Sequence, residues 1–564
     1  MKKALKIVTG ILLLAAIALA QDQKSASWQD DLEYLVRRIE IMHPHPYSFF
    51  PREDFYKLKE RLFSNIPKLS EADILISISG LLINLKDGHT RMGFEYSDPE
   101  WLDQTFHLLP FILYPFDDGV YILAGMPKHR ELVGSQIVKI GKMPVAEAAL
   151  KLGKLYGHDN SYGQRKSLCY TLGSAEMLRN IGAVEAVNKI NLTQRSAKNK
   201  EIKIEIDTVP FTSMARFLGT WYPQASSGLA TMNEATRNPL PLWLKHRKKS
   251  FWFVYVPEER MMFLQVNSLN FPHGNEEGPF GQLCARFFAA FDQSAAEKLV
   301  IDIRANDGGN HVELPLLKGI IARPYIDRHD RLFLVTGRVT YSAAVHFTTV
   351  FGKYTNATII GEPTSGRPNH YGALRRFKLP NHPQVTIACS IDYYQDSEPF
   401  DFNTTITPDI LTKIISADYR NNIDPAMNVV KNYDQICHWM QLLALEMEKE
   451  YTANGCQGMI KLYLSKKQEL LNVGYNLENF FTEFNDNWFS KNKKSASDYL
   501  DYLALAVNEC PESLDLCYSL AYHFETEGQL DEAKKYYSQC LQLNPACHYA
   551  KMKLGLLELN RKNQ

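Results

Sequence analysis

Trp28, Leu32, Leu35, Val36, Ile39 and Met42 recur at steps of three and four, which places them on one face of a helix over 28–42. The stretch "HPHPY" ends it, because each proline disfavours helical geometry in the residue before it. Phe55, Leu58 and Leu62 mark a second helix. Ser70 opens a third, with Asp73 three positions on as its capping-box partner. The run "ILISISGLLINL" carries that helix to "KDGHT" at 86–90. The pattern predicts a small helical unit ending at His89.

From about 107 the period shortens to that of strands, in "LLPFILYPF" and "VYILAGM". Next comes "ELVGSQIVKIGKMPVAEAALKL", a glycine turn, an alternating strand, a second glycine turn and a helix. That order resembles the second half of a PDZ domain, a module that takes up extended peptide ends by adding a strand to a sheet edge. Residues 160–250 carry a weaker pattern, with a helix near 174–185, a strand at "KIEIDTV" and an exposed linker at "RNPLPLWLKHRKK". From 251 the strands "FWFVYV", "MMFLQV", "KLVIDIR", "LFLVTG", "ATIIG" and "VTIACS" alternate with helices at "GQLCARFFAAF" and "SAAVHFTTVF". Alternation of this kind predicts an α/β layered core. Beyond about 420 the chain reads as helical. Residues 514–547 fit a 34-residue tetratricopeptide repeat, with Leu520, Ala521, Gly528, Ala533, Tyr537 and Pro545 at its offsets. A truncated second repeat starts near His548.

Composition narrows the function classes. The 564 residues are 45% hydrophobic and 22% charged, enough for several packed domains. Lys+Arg and Asp+Glu both number 63, so the basic surplus that marks a nucleic-acid partner is missing. Nine scattered cysteines without a CxxC pair do not read as a disulfide framework, although Cys510, Cys517, Cys540 and Cys547 fall in one helical region where pairing is open. The first twenty residues, "MKKALKIVTGILLLAAIALA", have the basic start, apolar run and small-residue end of a secretory signal. The expectation is an exported protein, periplasmic or secreted, with no stable membrane span once the signal is removed.

The candidate chemistry centres on Ser342. It follows the apolar strand "LFLVTG" and "RVTY" and precedes a helix, so its hydroxyl can point out of the sheet beside the unsatisfied N–H of Ala343. The same position also suits a plain N-cap serine. "DIRANDGG" at 302–309 ends a buried strand; Asp302 and Arg304 form a candidate ion pair, and Gly308 and Gly309 allow close approach of a bound carbonyl. A nucleophilic serine needs a base. Arg367, twenty-five positions on, stays protonated and is not one. No HExxH, GxSxG or Walker loop is present, so no metal or nucleotide cofactor is expected.

These fragments, in this order, resemble the tail-specific (C-terminal processing) serine peptidases and their tricorn-core relatives. The resemblance spans roughly 27–412 and rests on "KDGHT", the PDZ-like unit, "DIRANDGG", "GRVTYSAA", "GEPTSGRPNHYG" and the closing "TPDI" at 407–410. It implies that Ser342 is the nucleophile and that Gly308 or Gly309, with Ala343, supplies the oxyanion N–H groups. One branch of the family uses a lysine where Arg367 stands here. The tricorn branch uses a histidine matching His89, a residue type whose pKa suits general base work. His370 is the competing base; His43 and His346 are further candidates near the site. The resemblance also implies an acidic residue near the end of the core that orients the base, Asp401 first and Glu398 second. Arg367, His370 and His43 are expected to contact substrate, Arg367 through a peptide carboxylate.

The expected architecture is multidomain α/β. It has a signal at 1–20, an N-terminal helical domain at 21–100, a PDZ-like domain at 101–160 and a connecting α/β segment at 161–250. A peptidase core with the family's crotonase-like topology follows at 251–420, then a helical tetratricopeptide-like region at 421–564. The expected function is a serine peptidase acting on peptides or proteins, with a protein partner recruited by the helical tail. The alternative is a catalytically inactive relative that binds peptides or apolar ligands outside the cytoplasm.

Overall fold

The computed structural model describes residues 23–195, 200–218, 221–272, 277–399, 401–545 and 547–562. The expected export signal lies outside the described residues. The fold is mixed α/β with a helical C-terminal region, and the chain divides into two compact units.

The first unit holds the chain up to Ala235 together with His370–Tyr394. It begins with helices over 23–42, Arg52–Asn65 and Glu71–Leu82. The Ser70 hydroxyl accepts the Asp73 N–H at the start of the third, as its capping pattern predicts. That helix buries Ile74, Leu75, Ile76 and Ile78 in turn, so it is a core helix with no solvent face of any width. It runs into a short 3₁₀ turn, Ile83–Leu85, and Lys86 then takes a left-handed φ of 55°. The turn that ends the helix is therefore made at Lys86, one residue before Asp87. The main sheet runs Ala230–Thr231, Gly119–Gly125, Gln136–Ile140, Lys189–Arg195, Glu201–Asp207, with Phe111–Phe116 also paired to Gly119–Gly125.

The strand "VTIACS" is not part of the α/β layer predicted for it. Thr386–Cys389 pairs antiparallel with Arg375–Lys378 on one side and with Arg91–Met92 on the other, all within the first unit. Ile387 and Cys389 belong to the same hydrophobic core as Trp28, Leu35 and Leu75. The 251–420 segment is thus interrupted, because a pattern of alternating apolar residues says a strand exists but not which sheet receives it.

The second unit comprises Thr236–Asn369 and Gln395–Gln564. Its six-stranded sheet runs Phe251–Val256, Met261–Val266, Lys298–Asp302, Leu332–Thr336, Thr358–Gly361, Ile410–Leu411. The first pair is antiparallel and every later pair parallel. Met261–Val266 and Leu332–Thr336 are buried at every position, as strands covered on both faces require. The helices Pro279–Gln293, Leu314–Ile321 and Ala343–Tyr354 contribute Phe287, Leu316 and Phe347 to the packing. The predicted exposed linker before this sheet is in part internal: Trp243 is buried and lies under the Arg304 guanidinium at 5.0 Å.

The tail starts at Asp424. Its carboxylate caps the helix Pro425–Val473 and also binds Arg304 through two hydrogen bonds of 2.8 and 3.1 Å. Arg304 is in turn paired with Asp302, so the ion pair expected from "DIRANDGG" forms and gains a third member. Helices Ala496–Glu509, Leu514–Thr526, Leu530–Leu543 and His548–Lys562 follow. None of the nine cysteines is joined in a disulfide in the structure. No described helix is long and apolar enough to cross a membrane.

Candidate active site

In the second unit the candidate motifs occupy one end of the sheet. Asp302, Thr336 and Gly361 close three adjacent parallel strands. "RANDGG", "GRVTYS" and "EPTSGR" leave their carboxyl ends, the side on which open α/β sheets bind ligands.

Ser342 stands immediately before the helix Ala343–Tyr354, with φ 55° and ψ −129°. A non-glycine residue in that region carries strain of about 1–3 kcal/mol. It occupies the N-cap position but makes no side-chain capping bond, so an ordinary cap does not account for the serine. Gly308 lies against it. With φ 109°, a Cβ on Gly308 would stand 2.7 Å from the Ser342 Cβ and 3.2 Å from the Ala343 nitrogen. Only glycine fits this approach.

The two glycines are not equivalent. The Gly308 N–H donates to the Asn306 side-chain oxygen at 2.9 Å, and Asn306 is held by its amide to the Val266 carbonyl. The Gly308 N–H is thus committed to holding the turn. Gly309 is flanked by bonds from Leu269 N–H to the Gly308 carbonyl and from Asn310 N–H to the Leu269 carbonyl. Among the described residues no hydrogen bond is made by the N–H groups of Gly309 or Ala343.

Arg367 is buried, in a loop that packs along the Ser342 approach. Ser365 N–H donates to the Thr340 carbonyl, and a Cβ on Gly366 would meet the Tyr341 ring at 3.2 Å. Asn369 binds the carbonyls of Glu398 and Asp401. The Glu398 carboxylate itself pairs with Lys353 at the surface, 2.9 Å away, with 56% of its side chain exposed. The Glu398 charge is used in a solvated ion pair. The Asp401 carboxylate accepts the Asn403 N–H in a local turn.

In the first unit "KDGHT" is organised by Asp87, a residue the sequence reading passed over. One oxygen accepts the His89 N–H at 2.9 Å and lies 3.7 Å from His89 Nδ1. The other accepts from Thr90 Oγ1, Ser390 Oγ and His43 Nε2, at 2.6, 2.7 and 3.2 Å. Burial works to raise the pKa of this carboxyl. The hydrogen bond from His43 and the contact with His89 outweigh burial and hold the group far below the usual carboxylate range. The signal was legible: an aspartate two residues before a histidine is placed to accept its N–H.

The His43 ring is held on both sides. Its Nδ1 accepts the His45 N–H at 3.1 Å, so that nitrogen carries no proton, and Nε2–H donates to Asp87. Both ring nitrogens are used and the side chain is 1% exposed. His43 holds Asp87 and has no nitrogen left for substrate. His370 is close to His89, the rings parallel to within 19° with centroids 6.0 Å apart, and it also faces Tyr394.

No family model matches the chain, and no curated protein does. Among solved structures, mature CPAF is 13% identical, with a TM-score of 0.50 over 73% of this chain and 97% of CPAF. The chain has the fold of mature CPAF. The tail-specific and tricorn-core resemblance drawn from the motifs is thus met at the level of fold. The photosystem II D1 C-terminal processing protease aligns over 72% of this chain and 97% of its own, at 14% identity and a TM-score of 0.33. The tricorn protease aligns over 72% of this chain and 36% of its own, at 11% identity and a TM-score of 0.29. The CPAF likeness takes in nearly the whole of that chain and 73% of this one, so it is not confined to one motif.

Proposed function

We propose that this protein is an exported serine peptidase that cleaves peptide bonds through an acyl-enzyme, with Ser342 as nucleophile and His89 as general base. The observation that carries the reading is the strained backbone of Ser342 against the Gly308 turn at the carboxyl end of a parallel sheet. Strain at a strand-to-helix turn is a recurrent way of presenting a nucleophilic hydroxyl. Gly309 and Ala343 supply the oxyanion N–H groups, each worth a few kcal/mol of barrier in enzymes of this kind.

Asp87 is the orienting acid in place of Asp401 and Glu398. It is buried, ionised and already in contact with His89. His43, Thr90 and Ser390 fix it in turn. The mechanism follows the logic of a serine–histidine–acid triad: His89 takes the Ser342 proton, then returns it to the leaving amine. It requires the His89 imidazole to reach the Ser342 hydroxyl when substrate is bound. Arg367, a permanent cation, binds a substrate carboxylate; the sheet over Phe111–Asp207 acts as a PDZ-like peptide reader, and the tail helices as tetratricopeptide-like repeats for a protein partner.

Cleavage of a diverse peptide library by the full-length mature chain, read by mass spectrometry beside Ser342→Ala and His89→Ala, tests the reading. Cleavage abolished by both changes supports it. Cleavage that survives His89→Ala moves the base to His370. Absence of serine-dependent cleavage turns the reading towards a peptide-binding protein.

A further inference from the structure

His346 stands one turn into the helix that begins after Ser342, and its N–H donates to the Ser342 carbonyl at 3.2 Å. Its ring lies between two acids. Nε2 is 2.9 Å from Glu313 Oε1, and Nδ1 is 2.9 Å from Asp396 Oδ1. Both carboxylate side chains are only 9% exposed. The His311 ring stacks on the imidazole at 3.8 Å, parallel to within 6°. Nε2–H donates to Glu313, whereas Nδ1 lies at ion-pair distance from Asp396 without an aligned hydrogen bond; two carboxylates this close to a buried ring favour its charged form, the imidazolium. At neutral pH it is a cation and does not serve as the base for Ser342.

The three partners come from three segments. Glu313 follows the Gly308–Gly309 turn and stands at the start of the helix Leu314–Ile321. Asp396 lies beside Ser397, whose N–H binds the Asn369 side chain beyond Arg367. His346 thus joins the nucleophile helix to the chain leaving the glycine turn and to the segment that meets the arginine loop.

Building on the reading of Ser342 as nucleophile, we propose that His346 is a positioning residue. Clamped by Glu313 and Asp396, it fixes the first turn of the nucleophile helix so that Ser342 keeps its strained conformation over Gly308. Without the clamp the helix start relaxes, and the hydroxyl and the Ala343 N–H lose their alignment with the Gly309 N–H.

The clamp has a pH signature. Burial alone would lower the His346 pKa, and the two carboxylates outweigh it, raising it to about 9. A raised pKa means that the clamp is complete below the ordinary histidine range and is lost as pH rises through about 9. The titratable side chains facing the ring are Glu313, His311 and Asp396.

The test is the rate at which a fluorophosphonate labels Ser342 in the full-length protein between pH 6 and 10, for the parent, Glu313→Gln and His346→Asn. The parent rate is expected to fall on the alkaline side with a midpoint near 9. Glu313→Gln removes one of the two charges and is expected to move that limb down by about one pH unit or more. His346→Asn is expected to lose the limb and to label about tenfold to a hundredfold more slowly at neutral pH. A limb unmoved in Glu313→Gln, or His346→Asn labelling at the parent rate, overturns the inference. Glu313→Gln decides alone if His346→Asn does not fold. A parent that takes no label at Ser342 refutes the nucleophile itself, and the positioning role falls with it.

Discussion

Gly308 and Ser342 are packed so closely that a single methyl group on the glycine would stand 2.7 Å from the serine Cβ. Gly308 also holds φ 109°, a region that L side chains rarely adopt. Gly308→Ala therefore combines a clash with backbone strain beside the nucleophile. We expect peptide cleavage to fall by about a hundredfold, the size of effect seen when an oxyanion donor is lost. Cleavage assays beside thermal denaturation separate this from general unfolding.

Ser342 carries strain that glycine would not. Ser342→Gly is expected to abolish cleavage and to raise stability by about 1 kcal/mol, the relief of a positive φ less the added freedom of the unfolded chain. Urea unfolding compared with Ser342→Ala, which keeps the strain, is the measurement. An equal stability for both variants refutes the idea that strain is stored at this residue.

Asp87 is buried among donors, and Asp87→Asn breaks the match. The expected cost is about 2 kcal/mol, that of leaving buried donors mispaired, with a large loss of cleavage. Because the Asp87 pKa is depressed in the folded state, its contribution is present above the ordinary carboxylate pKa of about 3.9 and is lost as pH falls towards strong acid. The stability gap between parent and Asp87→Asn should therefore narrow below about pH 4. Unfolding curves at several pH values check it.

Glu398 makes the opposite prediction. Its pair with Lys353 is solvated, so Glu398→Ala should change stability by less than about 0.5 kcal/mol and leave cleavage near the parent rate. A large loss of cleavage would return Glu398 to the catalytic set.

Asp424 links the tail to the strand of the glycine turn through buried Arg304. Asp424→Ala leaves a buried guanidinium short of a partner and is expected to cost about 3 kcal/mol. Chemical denaturation followed by circular dichroism reads this directly.

Sequence periodicity alone determined the helices near the start, the parallel strands and the helical tail. Their apolar spacing is local and leaves few alternatives. The Ser70 cap, the "DIRANDGG" ion pair and the strand-to-helix junction at Ser342 were legible for the same reason: each depends on residues a few positions apart. The sheet that receives Thr386–Cys389 was not legible, because pairing with Arg91–Met92 joins residues nearly three hundred positions apart. The same holds for the two uses of histidine. His43 and His346 both read as candidates near the site, and only their partners distinguish them. Asp87 and the His45 N–H make His43 a neutral donor, whereas Glu313 and Asp396 make His346 a cation. A side chain's type is written in the sequence. Its protonation and its role follow from the charges that the tertiary fold places around it, since burial strengthens every such interaction by excluding water.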